Sequence, residues 1–276
     1  MTDRADQVRQ QCADLMDLAK HLAASASMAS SLDDGPAHLS MMSDSLTAIQ
    51  RELNRLGQAI DDYVEAAQAE QVEAAVQGGE PLKLLVGPGE TMVEGWTNVD
   101  IDQGDVLADL RRPLPFPDGC ASHIYCSHVL EHLRNPDETY RFLSECRRVL
   151  RRGGKIRVVV PNIAEYLRAC LDGDASFWET HQQTWPWSRT EANRLDQTLR
   201  YAGAGTYSAD FFGHQHGYDA SSLVDVLATA GFAPVKLSAF QSSTDPVFVI
   251  DDRSLVAHVE HDGRPLSLFA EGFSIF

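Results

Sequence analysis

Two glycines and an acid open the chemistry of this chain. Gly87 and Gly89 follow the apolar run Leu84-Leu85-Val86, and Asp100 closes a second run, Asn98-Val99-Asp100. A glycine just past a strand lets the backbone lie against a ligand with no Cβ in the way. An acid ending the next strand can accept hydrogen bonds from two ribose hydroxyls. Asp109 and Leu110 then follow Ala108 and lead into Pro113-Leu114-Pro115-Phe116, an acceptor beside an apolar side chain. Ser127 and His128 come after a third apolar run, Ile124-Tyr125-Cys126, and His132 stands four residues on. His214 and His216 lie far downstream, with Asp210 and Tyr218 close by in sequence. An acceptor hydroxyl must lose its proton as it reacts, and histidine is the usual recipient near neutral pH. His128 and His214 are the favoured bases; His132 serves equally as a cap or a buried structural ring.

The elements that must position these residues alternate from Pro81 onward, the pattern of a parallel sheet covered on both faces. Strands are expected at Leu84–Val86, Thr97–Val99, His123–Cys126 and Ile156–Val160, and a helix near Asp137 to Leu150. Only ten residues separate Gly89 from Asp100, so a first crossover helix has little room. Tyr218 to Leu223 opens a capped amphipathic helix that leaves at Ala230-Gly231-Phe232, and closing strands are expected near Val235–Phe240 and Leu255–Glu260. The irregular stretch 161–217 holds Trp178, Trp185 and Trp187, with Phe177, Tyr201, Tyr207, Phe211 and Phe212. Aromatic faces suit sugar rings, but most of these are expected to pack as a lid over the acceptor side.

The ordered set resembles the class I S-adenosylmethionine-dependent methyltransferases. More narrowly it is similar to a branch with a Gly-Trp-x-Asn-Val-Asp segment, here Gly95 to Asp100, then Leu-Pro-Phe, and a Ser-His-Val-Leu-Glu-His-Leu run, here Ser127 to Leu133. That branch is often met among polysaccharide and cell-surface sugar functions. The resemblance spans roughly Lys83 to Glu260 and implies a Rossmann-like α/β sheet with S-adenosylmethionine as cofactor. It implies that Gly87 and Gly89 lie against the methionine portion, that Asp100 binds the ribose, and that Asp109 accepts from the adenine amino group. It implies further that Leu110 flanks the ring and that Ser127 and His128 line the cleft. The branch usually carries an acid where Ser122 stands, and Pro88 sits in the middle of the glycine loop; both could weaken cofactor affinity.

Composition limits the partners. A formal charge of −17 over 276 residues opposes a phosphate-backbone partner, so no nucleic acid is expected. Arg147, Arg148, Arg151 and Arg152 end a predicted helix, where they should complement its dipole and stay solvated. Five cysteines without a C-x-x-C pair point to reduced thiols. The polar N-terminus and the lack of a long apolar run point to a cytoplasmic protein with no membrane span. Residues 1–80 form a helical segment ahead of the 81–276 domain. Within it Leu46, Ile49, Leu53, Leu56, Ile60, Tyr63 and Ala67 alternate three and four apart, a heptad coiled-coil seam. A weaker stripe runs from Val8 to Leu22. The seam serves either packing on its own catalytic domain or a homo-oligomer.

The expected reaction is methyl transfer to a small-molecule or sugar-precursor acceptor. The chief alternative is a catalytically silent scaffold that keeps the fold and assembles through the N-terminal helices. His128-Val129-Leu130-Glu131-His132 also matches the H-x-x-E-H pattern of a metallopeptidase, but that pattern needs a sustained helix, and Asn135-Pro136 breaks the chain soon after. A nicotinamide enzyme would want a third glycine where Met92 stands. No metal ligands are expected.

Overall fold

The computed structural model describes residues 20, 35–89, 91–184, 193–204, 213–253 and 257–275, and it divides into two compact units, Met1–Glu70 and Gln71–Phe276. The stripe from Val8 to Leu22 lies outside the described residues. A 42-residue helix, α1, runs Gly35–Val76 with Pro36 in its first turn, where a missing N–H costs nothing. In the first unit, its positions Leu46, Leu53 and Ile60, seven apart, are 54%, 44% and 42% exposed. Ile49, Leu56 and Tyr63 are half-buried. The last turns of α1 belong to the second unit: Val72 enters the core there, and the Gln71 side chain accepts from Leu107 N–H at 3.0 Å.

Seven strands make the sheet of the second unit: β1 (Leu82–Val86), β2 (Thr97–Asp100), β3 (Val106–Leu107), β4 (Ala121–Ser127), β5 (Leu150–Pro161), β6 (Lys236–Ser238) and β9 (Ser267–Phe273). Their order is β3-β2-β1-β4-β5-β9-β6. The first five run parallel, and β9 lies antiparallel to both β5 and β6. A small separate hairpin pairs β7 (Glu260–His261) with β8 (Arg264–Pro265). As the short spacing implied, β1 reaches β2 through loop alone among the described residues.

Period-two alternation sorts the strand side chains into two cores. Leu84, Val86, Ile124, Cys126, Ile156, Val158 and Val160 share one core with Phe142, Leu143 and Val149 of α2 (Asp137–Val149) and with Leu223, Val226 and Leu227. Leu85, Tyr125, Val159 and Phe269 pack instead with Trp96, Phe248 and Ala257. Three helices follow β5, namely α3 (Ile163–Asp172), α4 (Ala175–Thr184) and α5 (Arg194–Tyr201), and a third cluster of Ile163, Tyr166, Phe177, Trp178, Val259 and Leu266 forms there. Phe177 and Trp178 thus pack as core, as expected; Trp185, Trp187, Tyr207, Phe211 and Phe212 lie outside the described residues. The capped helix is α6 (Ala220–Thr229), where Asp219 accepts from Ser222 N–H at 2.7 Å and the Ser222 hydroxyl accepts from Asp219 N–H at 2.9 Å.

Two expectations need correction. The closing strand is β9, well past Leu255–Glu260; among the described residues of that range only Glu260 is in a strand, the hairpin strand β7. Arg148 is not merely solvated at a helix end. Its guanidinium donates to the Leu114 and Phe116 carbonyl oxygens, each at 2.8 Å, and pairs with Glu145 and Asp118, pinning the Pro113–Phe116 loop to α2. Among the described residues no helix is long and apolar enough to cross a membrane.

Candidate functional site

The parallel strands bring their C-terminal ends to one edge of the sheet, where Gly87, Asp100 and Ser127 meet. Gly87 has φ +67°, and a Cβ there would stand 2.1 Å from Val129 Cγ2, so only glycine lets the loop close against the residues after β4. At Gly89 an added Cβ would meet nothing within 4 Å. That position is an open cradle at the sheet edge, as backbone approach to a ligand requires. Asp100 organises the same loop: its Oδ2 accepts from Gly89 N–H at 3.1 Å and its Oδ1 from Ile101 N–H at 2.6 Å. Each carboxylate oxygen keeps a further lone pair for a diol.

Asp109 lies beyond β3, held by Arg111. The guanidinium donates from Nε to Oδ1 at 2.9 Å and from Nη2 to Oδ2 at 2.8 Å, and this pairing holds the Asp109 carboxyl below its ordinary range. An amino group binding there would share the carboxylate with Arg111. Leu110 beside it is partly buried against the main core. Sequence reasoning missed the clamp, although a basic residue two positions from the acid was its signal. It also missed Asn98. This buried side chain accepts from Val93 N–H at 2.9 Å and donates to Asp105 Oδ2 at 2.8 Å, fixing the turns on either side of Asp100.

Past Ser127 the chain turns sharply, with His128 at φ +55°. Leu130–His132 is a single 3-10 turn, which lacks the sustained helix that the metallopeptidase pattern needs. His128 Nε2 lies 3.1 Å from Ser267 Oγ, and its Nδ1 lies 3.3 Å from Glu131 Oε1. Glu131 is 1% exposed, yet neither carboxylate oxygen receives a hydrogen bond of ordinary geometry. Burial pushes its pKa up, but His128, and behind it His132 and His214, outweigh that and hold it at about 2.

His214 joins this group from far along the chain. Gln215 and His216 N–H groups both donate to the Glu131 carbonyl oxygen, at 2.7 and 3.1 Å. Gly203 permits the approach: at φ +76°, a Cβ would lie 2.3 Å from the Gln215–His216 peptide. The His214 ring meets His132 edge to face at 4.9 Å. Its Nδ1 lies 2.9 Å from the Tyr201 carbonyl oxygen, and burial lowers its pKa. Of the proposed bases, His128 and His214 thus share one cluster around Glu131, with His132 between them. His216 turns to Tyr218 instead, its ring 4.8 Å away, and Asp210 lies outside the described residues.

A family described as a methyltransferase domain matches residues 82–158, from β1 through most of β5. Solved S-adenosylmethionine-dependent methyltransferases are similar in part. One from Archaeoglobus fulgidus shows 18% identity over 77% of this chain and 93% of its own, with a TM-score of 0.40. One from Mesorhizobium loti shows 15% identity over 75% and 97%, with a TM-score of 0.39. One from Methanosarcina mazei shows 13% identity over 71% and 93%, with a TM-score of 0.41. No curated protein matches the chain in sequence. The matched span holds Gly87, Gly89, Asp100, Asp109, Leu110, Ser127 and His128, the open cradle and the held carboxylate included. Residues 82–158 therefore match a methyltransferase domain, which makes the protein an S-adenosylmethionine-dependent methyltransferase with S-adenosylmethionine as its cofactor.

Proposed function

We infer that the enzyme methylates a hydroxyl group on a small acceptor, a sugar or polysaccharide precursor. The observation that carries the reading is the meeting of His128, Glu131, His132 and His214 immediately beyond Ser127, where an acceptor would face the donor cleft. The sugar class comes from the resemblance of Gly95–Asp100 and Ser127–Leu133 to its branch, since a fold names no substrate. Bound S-adenosylmethionine supplies an electrophilic methyl carbon on a sulfonium. The chain's own work is to bind, orient and exclude water. Gly87 and Gly89 hold the methionine portion, Asp100 the ribose, Asp109 and Leu110 the adenine, and Ser127 and His128 line the cleft. His128 and His214 stand where a hydroxyl proton would leave.

The helical segment, taken as residues 1–80 ahead of 81–276, associates with a second copy in this reading. The exposed heptad positions Leu46, Leu53 and Ile60 support that, and Leu53→Asp should lower the mass seen by light scattering. The negative charge supports a partner set without nucleic acid. The thiols at Cys120, Cys126, Cys146 and Cys170, all free, fit the cytoplasm.

The test is transfer of a labelled methyl group from S-adenosylmethionine to a panel of nucleotide sugars and polysaccharide precursors, with Asp100→Ala as control. Label on a sugar oxygen, absent in the variant, is the expected result. Transfer to amines or carboxylates with none to sugars would overturn the hydroxyl assignment.

A further inference from the structure

Resting on the hydroxyl-acceptor reading, the geometry points to a binding site for a first-row divalent metal ion formed by Glu131, His132 and His214, with the acceptor oxygen as an additional ligand. One ligand atom from each residue lies within 4.8 Å of the other two. An ion with bonds of about 2.1 Å would draw these side chains inward. Two imidazoles and a carboxylate suit zinc, manganese, iron or cobalt, whereas calcium and magnesium favour all-oxygen shells.

Three features support the assignment. Glu131 is a buried carboxylate with no hydrogen bond of ordinary geometry, its nearest donor being His128 Nδ1 at 3.3 Å from Oε1, which leaves room on the carboxylate for a cation. His214 is already oriented as a ligand: its Nδ1–H donates to the Tyr201 carbonyl oxygen, which leaves the lone pair on Nε2. The Gln215 and His216 N–H bonds to the Glu131 carbonyl then hold the two distant segments together. The second cluster with suitable spacing, Asp174, His261 and Asp262, differs in kind. There His261 Nε2 lies 3.1 Å from Asp174, and Asp174 also accepts from Ser176 and Phe177, so its charges are already answered.

Three protein ligands leave open coordination positions. A hydroxyl bound at one of them becomes a stronger acid, and its proton can pass to water without a histidine base. In this account His214 is a ligand rather than a base. The rival balance for Glu131 is a protonated His128 at 3.3 Å, with no metal involved.

The experiment titrates chelator-treated, full-length protein with Co2+ and Zn2+ in the absence of any nucleoside. It follows cobalt absorption and calorimetric heat. One equivalent should bind, with affinity falling on the order of a hundredfold in Glu131→Gln and in His214→Gln, and unchanged in His261→Gln. His132→Gln should behave like His214→Gln, which keeps the test decisive if one variant fails to fold. No binding by the wild type would overturn the site, as would full retention in the Glu131, His132 and His214 variants or loss in His261→Gln alone. The labelled-transfer assay on the sugar panel separates the two claims. If sugar oxygens are labelled while no metal binds, the metal site falls and the hydroxyl reading stands; if label reaches only amines or carboxylates, the hydroxyl reading falls whatever metal binds.

Discussion

Arg157 and Glu131 are both buried charges next to the central strands, and their surroundings differ completely. The five guanidinium N–H groups of Arg157 are all used: Nε and Nη2 donate to Asp251 at 3.0 and 2.7 Å, Nη2 also to the Ala239 carbonyl at 2.9 Å, and Nη1 to Ser238 at 2.6 Å and to Glu271. Asp251, 0% exposed, also accepts from the Tyr125 hydroxyl at 2.7 Å and from Gln241 N–H at 2.6 Å. Strand register arranges this, because Tyr125, Arg157 and Glu271 are neighbours across β4, β5 and β9. Glu131 has no such satisfaction. A closed network specifies the position of strands; Glu131, with one imidazole 3.3 Å away and no hydrogen bond of ordinary geometry, is left more open.

The largest expected effect breaks the closed network. Arg157→Met leaves Asp251 buried and uncompensated and should cost about 3–5 kcal/mol in urea unfolding, while Arg157→Met with Asp251→Leu should recover much of that loss. Next comes a buried group that is kept neutral. Burial lowers the pKa of His181 from 6.5 to about 4. The unfolded chain therefore binds a proton that the native ring refuses. Stability is full above pH 6.5 and declines as the pH falls toward 4, by up to about 3 kcal/mol. Thermal unfolding across that window should show the decline, and His181→Phe should flatten it.

A smaller effect is expected in the glycine loop. Gly87→Ala forces a Cβ against Val129 at a left-handed φ and should cost about 1–3 kcal/mol, partly relieved by Val129→Ala. Last comes Glu131→Gln, which removes the pairing with His128 at 3.3 Å but no hydrogen bond of ordinary geometry, and should cost about 1–2 kcal/mol by the same denaturation assay. A large loss there would erase the contrast with Arg157.

The parts of the site that lie close together in sequence were readable. Gly87, Gly89 and Asp100 sit at strand ends that the apolar runs mark, and the Asp219–Ser222 cap carries its own local signature. What depends on distant contacts was not. β9 reads poorly because Ser267–Phe273 includes Glu271 and Gly272; Glu271 is there for Arg157, and a Cβ at Gly272 would lie 2.8 Å from Phe232 Cβ. Glu131 drew notice only as part of a helical zinc pattern, since its meeting with His214 depends on a backbone contact made through Gly203. Arg148 read as a helix-end charge because the carbonyls it binds belong to a loop some thirty residues earlier.

Calorimetric titration with S-adenosylmethionine and S-adenosylhomocysteine, wild type against Asp100→Ala, tests the central claim most directly. Binding of both ligands by the wild type, lost or weakened at least about tenfold in the variant, is the predicted result for a carboxylate that takes both ribose hydroxyls. Equal binding by the two proteins would remove Asp100 from the site. Binding of neither ligand by the wild type would contradict the assignment of the cofactor cleft.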